Sequence, residues 1–391
     1  GNAAFKDCTA FRGDLDIPDT VTDIGITSFA GCLNLDGTLT VGSNLTRFNI
    51  GVFAGCSKLT GDFENILGDN IELIAKSAFS GCASLRGNVR IPKGVLNIEP
   101  ESFRSSGVTK LTLHDQVTSI GSLAFYDCRN LVGDIYIPNS VVSIDRLSFY
   151  GATKLDGTLT LGNSLQTIGD QAFDGCGNLK GVLRLPASLE DNPQGLGAFS
   201  FRGCVSLTAD SLVIPDKLYR IGQGAFYGCT GLRGNLTIGE NVETIGISAF
   251  FQTSFSEVKI SSSVAVIGNE AMANMQSLKV IDVYAKSIAV GFNAFSNMGD
   301  VVKVTIPDDA QGFIGLPLVS CAGTSCGCSQ GNGGSDSGHG DNRTVCAPCT
   351  PGSFSNEVSR DSCHLCGSGR YGTNKALQSC DLCSEGKTTV G

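Results

Sequence analysis

The sequence predicts a β-rich solenoid of about thirteen stacked repeats, followed by small modules held together by disulfides. Three observations support this prediction. One phrase recurs along most of the chain, each copy contains a short alternating strand, and the cysteines fall into two classes with different spacing. A single short repeat cannot bury its own apolar face, whereas stacked repeats bury a continuous core.

The recurring phrase is I-G-x-x-A-F-x-G-C-x-x-L-x-G-x-L-x-I-P-x-x-V. Its aromatic anchors lie 22 to 28 residues apart, about 24 on average, which is within the range of leucine-rich repeats. The anchors are Phe5, Phe29, Phe53, Phe79, Phe103, Phe125, Phe149, Phe173, Phe201, Phe226 and Phe250, and Met272 and Phe295 continue the series. We expect the two longer units, which end at Phe79 and Phe201, to form loops on one face.

Each repeat carries a three-residue segment in which two aliphatic residues flank an outward one. Leu15-Asp16-Ile17 and Leu183-Arg184-Leu185 are examples, and a Pro or Gly follows each segment. Alternation of period two predicts a strand with one buried face. The outward residues therefore form a column, which reads Asp16, Thr40, Arg90, Thr112, Tyr136, Thr160, Arg184, Val213, Thr237, Lys259, Asp282 and Thr305.

This outward column is the natural binding surface of a solenoid. Tyr136 is its aromatic residue, and Arg90 and Arg184 lie within two repeats on either side. Because Tyr and Arg are frequent binding hot spots, we predict a binding face centred on these three residues. The alternative is that the column, which is rich in Thr, simply suits exposed strands.

Composition excludes several classes of function. The 391 residues have a formal charge of −9, which argues against a nucleic-acid binder. No uncharged run approaches the roughly 18 apolar residues of a membrane span. The three His residues lack an accompanying nucleophile motif, so we expect no enzyme, no cofactor and no metal.

Eight cysteines share one position in the repeat, three residues after the anchor. Other repeats place Ser106, Ala152, Thr253 or Met275 there, which indicates an inward core position. We therefore predict buried free thiols, with a redox switch or a metal site as alternatives. These cysteines are Cys8, Cys32, Cys56, Cys82, Cys128, Cys176, Cys204 and Cys229.

The phrase resembles the BspA-like leucine-rich repeat family over about four-fifths of the chain, residues 1–320. The resemblance implies a surface or secreted protein that acts in adhesion or recognition. Its expected partners are proteins or glycans at a cell surface or matrix, with an extracellular location reached through the secretory pathway. The alternative function is a structural subunit of an extracellular filament, appendage or coat that self-associates.

The other nine cysteines follow the repeats. We expect residues 321–328 to form a cap, 329–345 a Gly/Ser-rich linker, and 346–391 a series of modules that continues past residue 391. In the modules, a C-x-x-C pair recurs every 17 residues, which suits either zinc ligation or disulfides. The nine residues are Cys321, Cys326, Cys328, Cys346, Cys349, Cys363, Cys366, Cys380 and Cys383.

The unit C-x-x-C-x-x-G-x-F/Y resembles the Cys-rich modules of ephrin receptors and tumour-necrosis-factor receptors. This resemblance implies disulfides, and within it we favour the pairs Cys349–Cys363 and Cys366–Cys380. Connectivity itself does not follow from sequence. Three N-x-S/T sequons add candidate glycosylation sites at Asn342, then Asn44, then Asn235.

Peptide mapping under non-reducing conditions tests the second class of cysteines. We expect those from Cys321 onward to be blocked as disulfides and to become free only after reduction. Thiols that label without reduction, together with release of zinc, would contradict the extracellular interpretation and favour a zinc-bound tail.

Overall fold

The computed structural model describes residues 1–190, 195–299, 301 and 303–307. It also gives the backbone of five later two-residue strands, Arg343–Thr344, Ser353–Phe354, His364–Leu365, Arg370–Tyr371 and Asp381–Leu382. The predicted cap and all nine cysteines of the cap and modules lie outside the described residues, as does the rest of the predicted linker and modules apart from these strands.

The predicted fold is confirmed: the chain forms a parallel β-solenoid of about twelve turns with almost no helix. In most turns, one strand belongs to a first column, whose strands pair in parallel from one turn to the next and form several short sheets. Leu15 lies opposite Leu39, and Ile135 lies opposite Leu159. The strands of this column are Leu15–Ile17, Leu39–Val41, Gly61–Asp62, Leu85–Arg90, Gly107–Thr112, Ile135–Tyr136, Leu159–Thr160, Ala209–Val213, Leu232–Thr237, Ser254–Ile260, Val280–Val283 and Lys303–Ile306.

A second strand column, which the sequence pattern did not predict, follows the first in each turn. Nine of these ten two-residue strands end on a buried apolar residue, as Ile120 does three positions after the buried Val117. The register keeps Ile120 opposite Ile144, so apolar side chains of consecutive turns pack against one another in the core. The strands are Arg47–Phe48, Leu73–Ile74, Asn97–Ile98, Ser119–Ile120, Ser143–Ile144, Thr167–Ile168, Arg220–Ile221, Thr244–Ile245, Val266–Ile267 and Ala289–Val290.

The anchor phenylalanines form one continuous stack of rings along the core. Ring centroids of consecutive anchors from Phe5 to Phe250 lie 5.2 to 5.8 Å apart, with interplanar angles of at most 22°. Parallel rings at this separation are offset, which is a favoured aromatic geometry. The nine anchors from Phe53 to Phe250 are fully buried, so the stack forms the central axis of the core.

Backbone hydrogen bonds around each anchor join consecutive turns. The amide of Phe149 donates to the carbonyl of Ala172 at 2.8 Å, and the amide of Phe125 donates to the carbonyl of Ser148 at 2.8 Å. The same bond recurs at each anchor from Phe5 to Met272. The anchor segment is therefore a turn in shape, but its backbone is paired between repeats as completely as a strand.

Glycine pairs allow close approach where the turn meets the first strand. A Cβ on Gly37 would lie 2.1 Å from the backbone carbon of Gly13, which has φ +79°. Reciprocal hydrogen bonds close this contact, since Gly13 N donates to Asp36 at 2.9 Å and Thr38 N donates to Asp14 at 2.8 Å. The absence of side chains at Gly13 and Gly37 thus allows consecutive turns to pack closely.

Two details differ from the sequence-based expectation. The insertion before Phe79 forms the short helix Phe63–Ile66 instead of a loop, because Asp62 caps it and Phe63 packs edge-on against both Phe79 and Phe103. The segment Leu183–Leu185 forms no strand. The following turn pairs with this region through a single β-bridge between Val182 and Thr208, so no strand ladder forms along Leu183–Leu185.

Truncation of one stacked ring tests the importance of the core axis. Phe149→Ala removes a fully buried ring between Phe125 and Phe173 and should cost about 3–5 kcal/mol in urea unfolding. Phe292→Ala is the matched control, because that ring is 74% exposed, and it should change stability by less than about 0.5 kcal/mol. Equal unfolding midpoints for the two variants would contradict the role of the stack.

Candidate binding surface

The outward residues of the first column lie side by side because the parallel strands are in register. Tyr136 is opposite Thr160, and Arg90 is opposite Thr112. Adjacent strands are about 4.8 Å apart, so neighbouring outward side chains can contact one ligand together. The resulting surface is a flat, polar strip along the solenoid.

Tyr136 and Arg184 border one groove of about 480 Å³, with Thr160 on the strand between them. Apolar edges of Ile137, Leu161 and other residues line its wall. Tyr136 is 59% exposed, and most of its ring is therefore available to a ligand. The groove combines an aromatic ring, a cation and a hydroxyl, which suits either a protein side chain or a sugar.

Arg90 lies apart from this groove. It lines a smaller depression of about 150 Å³, together with Asp69, Lys93 and His114. His114 itself is held by the backbone, since its Nε2 lies 3.1 Å from the carbonyl oxygens of both Pro92 and Val95. The structure thus brings together two of the three predicted residues and separates the third from them.

The repeat cysteines form a hydrogen-bonded ladder inside the core. Seven of the eight Sγ atoms, all but that of Cys8, donate to the carbonyl oxygen of the preceding anchor, as Cys56 does to Phe29 at 3.0 Å and Cys229 to Phe201 at 2.9 Å. All eight thiols are free, and seven are buried. Cys8 is only half-buried, because it lies in the first turn and no described turn packs against its outer side.

Burial controls the ionisation of these thiols. Desolvation raises the pKa of Cys56, Cys128, Cys176 and Cys229 to about 12, because the thiolate loses its hydration in the core. The thiolate is the reactive form, so these side chains are chemically inert in the folded protein. In the described structure, these four thiols donate hydrogen bonds to the anchor carbonyl oxygens.

The two sequons within the described residues differ in environment. The Asn44 amide donates to the Asp19 carbonyl oxygen at 2.7 Å, so it takes part in contact between turns. Asn235 is exposed in the strand Leu232–Thr237 on the candidate binding face. The third sequon, at Asn342, lies outside the described residues.

A second surface column, which the sequence analysis did not identify, follows the anchors directly. Residues one position after the anchor are planar in seven consecutive turns, and neighbours among them make two ring stacks, one cation–π contact and one ion pair. We call this set the planar stripe, and it consists of Arg104, Tyr126, Tyr150, Asp174, Arg202, Tyr227 and Phe251. Aligning the repeats on the anchor and inspecting the next residue would have found it.

Within the described part of the chain, no cluster of three or more His, Cys, Asp or Glu residues could hold a metal ion. In the same residues, no helix is both long enough and apolar enough to cross a bilayer.

The family model described as BspA type leucine-rich repeat region (6 copies) matches residues 1–86, 62–180, 132–194 and 194–314. The chain belongs to this family. BspA-type proteins are typically surface proteins of adhesion or protein–protein interaction and are generally not enzymes. The predicted family is thus confirmed, whereas the resemblance of the tail to receptor modules is outside what the match covers.

Solved structures of bacterial leucine-rich repeat proteins are similar to this BspA-type chain. A leucine-rich repeat protein from Bacteroides ovatus is 23% identical, with 76% of this chain and 91% of that one covered and a TM-score of 0.48. A leucine-rich cell surface protein from Faecalibacterium prausnitzii is 23% identical, with 83% of each chain covered and a TM-score of 0.45. The pneumococcal vaccine antigen PcpA is 18% identical, with 78% and 82% covered and a TM-score of 0.40. No curated protein matches the chain.

Thiol labelling tests the environment of the cysteine ladder. With a pKa of about 12, only about one Cys176 thiol in ten thousand is ionised near pH 8, and its burial further blocks a reagent. We expect native labelling with N-ethylmaleimide, quantified by peptide mass, to modify Cys8 and to spare Cys56 through Cys229. All eight should label in urea, whereas native labelling of the buried set at the rate of Cys8 would contradict the described core.

Proposed function

We propose that this protein is an extracellular or cell-surface recognition protein that adheres to other proteins or glycans through the first-column face. The observation that carries the proposal is the groove between Tyr136 and Arg184. In this groove an exposed aromatic ring and a guanidinium flank an exposed Thr160, on a rigid scaffold. Family membership supports the general class, since BspA-type proteins are typically surface interaction proteins.

The rigidity of the scaffold favours recognition over chemistry. Tyr136 is held by ladder pairing between Ile135 and Leu159, and the buried aliphatic residues beneath fix the strands. A rigid aromatic side chain loses little conformational entropy when it binds. Tyr and Arg at the centre of such a face are the residue types that dominate binding energy in protein interfaces.

Secretion, glycosylation and the disulfide-bonded stalk belong to the same proposal and rest on the sequence pattern. Self-assembly into a filament or coat also rests on sequence alone. Light scattering of the purified protein separates the two. A recognition protein remains of one size at increasing concentration, whereas a filament subunit grows.

The binding test uses a panel of extracellular-matrix proteins and a glycan array. The double variant Tyr136→Ala/Arg184→Ala should weaken binding to any partner found by about tenfold or more. Tyr284→Ala is the matched control for an exposed tyrosine, since Tyr284 is 55% exposed but lies outside the groove, and it should bind normally. Equal binding by the double variant and the control would overturn the assignment of this face.

A further inference from the structure

The parallel ladder of the first column is interrupted at the groove between Tyr136 and Arg184, which we call the Tyr136 groove. On one side the ladder is complete, since Tyr136 lies opposite Thr160 and the Ile137 amide donates to the Thr160 carbonyl oxygen at 2.9 Å. On the other side, pairing ends where the Leu159 amide donates to the Lys180 carbonyl oxygen at 2.9 Å. One edge of the strand Leu159–Thr160 is therefore open beyond this bond.

The two turns that enclose the groove are joined again only beyond it. The Ser188 hydroxyl donates to the Leu165 carbonyl oxygen, and the Glu190 amide donates to the Gln166 carbonyl oxygen at 3.0 Å. Within the described residues, no backbone hydrogen bond joins Leu159–Leu161 to Leu183–Leu185. The gap in the ladder is thus local and coincides with the groove.

Unpaired main-chain groups line this gap. In a regular parallel ladder, the Arg184 amide would donate to the Leu159 carbonyl oxygen, and the Leu161 amide would donate to the Arg184 carbonyl oxygen. Within the part of the chain that the structure describes, neither amide donates a hydrogen bond and neither carbonyl accepts one. Main-chain groups in native structures are almost always paired with protein or water, so these four can pair with an outside main chain.

The floor of the groove is apolar. In the slot that follows the outward residue, Ile137 and Ile238 are buried, whereas Leu161 and Leu185 in the groove are only half-buried. Val182, which is 48% exposed, also lines the groove. A ligand that covers these side chains removes apolar surface from water, which favours binding.

Size distinguishes this groove from another gap in the ladder. Leu113, which occupies the same slot two turns before Leu161, is also half-buried, and its amide donates no hydrogen bond within the described residues. Leu113 lines the depression of about 150 Å³ beside Arg90. The Tyr136 groove has about 480 Å³, within the range of about 300–1,000 Å³ that is typical of ligand pockets.

We propose that the Tyr136 groove binds the main chain of an extended peptide that carries an aliphatic side chain. This inference rests on the proposed function and narrows its partner to a peptide segment. An extended peptide presents N–H and C=O groups on one edge at every second residue, about 6.8 Å apart. The Leu159 carbonyl and the Leu161 amide are likewise two residues apart on one strand edge.

The two kinds of contact have separate roles in this mode of recognition. Main-chain pairing with an open strand edge contributes affinity for any extended sequence, and pockets for alternate side chains add specificity. The half-buried Leu161 and Leu185 offer such a pocket to an aliphatic side chain. A sugar chain has hydroxyls for the polar groups but no aliphatic side chain for this floor.

A phage-displayed library of random linear octapeptides, selected on the full chain, supplies the probe. We expect the selected peptides to share an aliphatic residue. In calorimetric titration, N-methylation of every second amide in the bound core should weaken binding by about tenfold at each position, and N-methylation of the amides between should change it less than about twofold. Selection of no peptide, or equal tolerance of N-methylation at all positions, would overturn the proposal.

Variants of the chain locate the peptide. Leu161→Ala/Leu185→Ala should weaken binding of the selected peptide by about tenfold, because it removes the apolar floor. Leu113→Ala is the matched control, since Leu113 is a half-buried leucine in the same slot outside the groove, and it should bind as the parent does. Thermal unfolding of each variant shows that the fold is kept. Equal affinities for the peptide in the groove variant and the control would contradict the site.

The failure of this inference is distinguishable from the failure of the proposed function. If Tyr136→Ala/Arg184→Ala loses binding to a glycan and no peptide is selected, the face is a recognition surface but the peptide inference is wrong. If a selected peptide binds equally to the parent, to this double variant and to Leu161→Ala/Leu185→Ala, both the groove and the proposed binding face are wrong.

Discussion

The structure depends on the turn around each anchor ring, where one side chain and its backbone join three consecutive repeats. The anchor amide donates to the carbonyl of a residue in the following turn, and at seven anchors the carbonyl accepts from the cysteine thiol of the following turn, as Phe149 does from Cys176. The ring stacks on the anchors before and after it. Since a solenoid gains stability only from its neighbours, this repeated contact sets the spacing and register of both strand columns.

Stacking between turns constrains the residues at interior positions, whereas residues at exterior positions can differ from turn to turn. The anchor, cysteine and aliphatic positions repeat because each must fit the same position in the next turn. The outward residues of the first column face solvent, the residues after the anchors are half-buried in most turns, and both sets change from turn to turn. The Tyr136 groove and the planar stripe both use these free positions, at two different places around the same turns.

The sequence predicted the fold because its signals are local and repeated. The anchor spacing and the alternation of Leu159-Thr160-Leu161 were sufficient to place the first column and to identify the family. The second column was missed because strands such as Ser119–Ile120 are only two residues long, and two residues show no alternation. The helix Phe63–Ile66 was missed because its stability comes from the packing of Phe63 against the side of the ring stack.

The sites were predictable only in part. Register placed Tyr136 and Arg184 on one face from sequence alone, but the groove that joins them, and the separation of Arg90, depend on the shape of the surface. The planar stripe was not visible as a motif because Arg, Tyr, Asp and Phe share planarity and not residue type. The stacking of Tyr126 on Tyr150 and the pairing of Arg202 with Asp174 show these residues as neighbours in the structure.

Hydrogen exchange of the backbone amides tests the central claim most directly, because the anchor segments are turns in shape but are paired between repeats. The account predicts that amides of Phe29 through Phe250 exchange as slowly as those of the strands Leu85–Arg90 and Leu232–Thr237. Protection that is confined to the strands, with anchor amides exchanging at the rate of open loops, would contradict it.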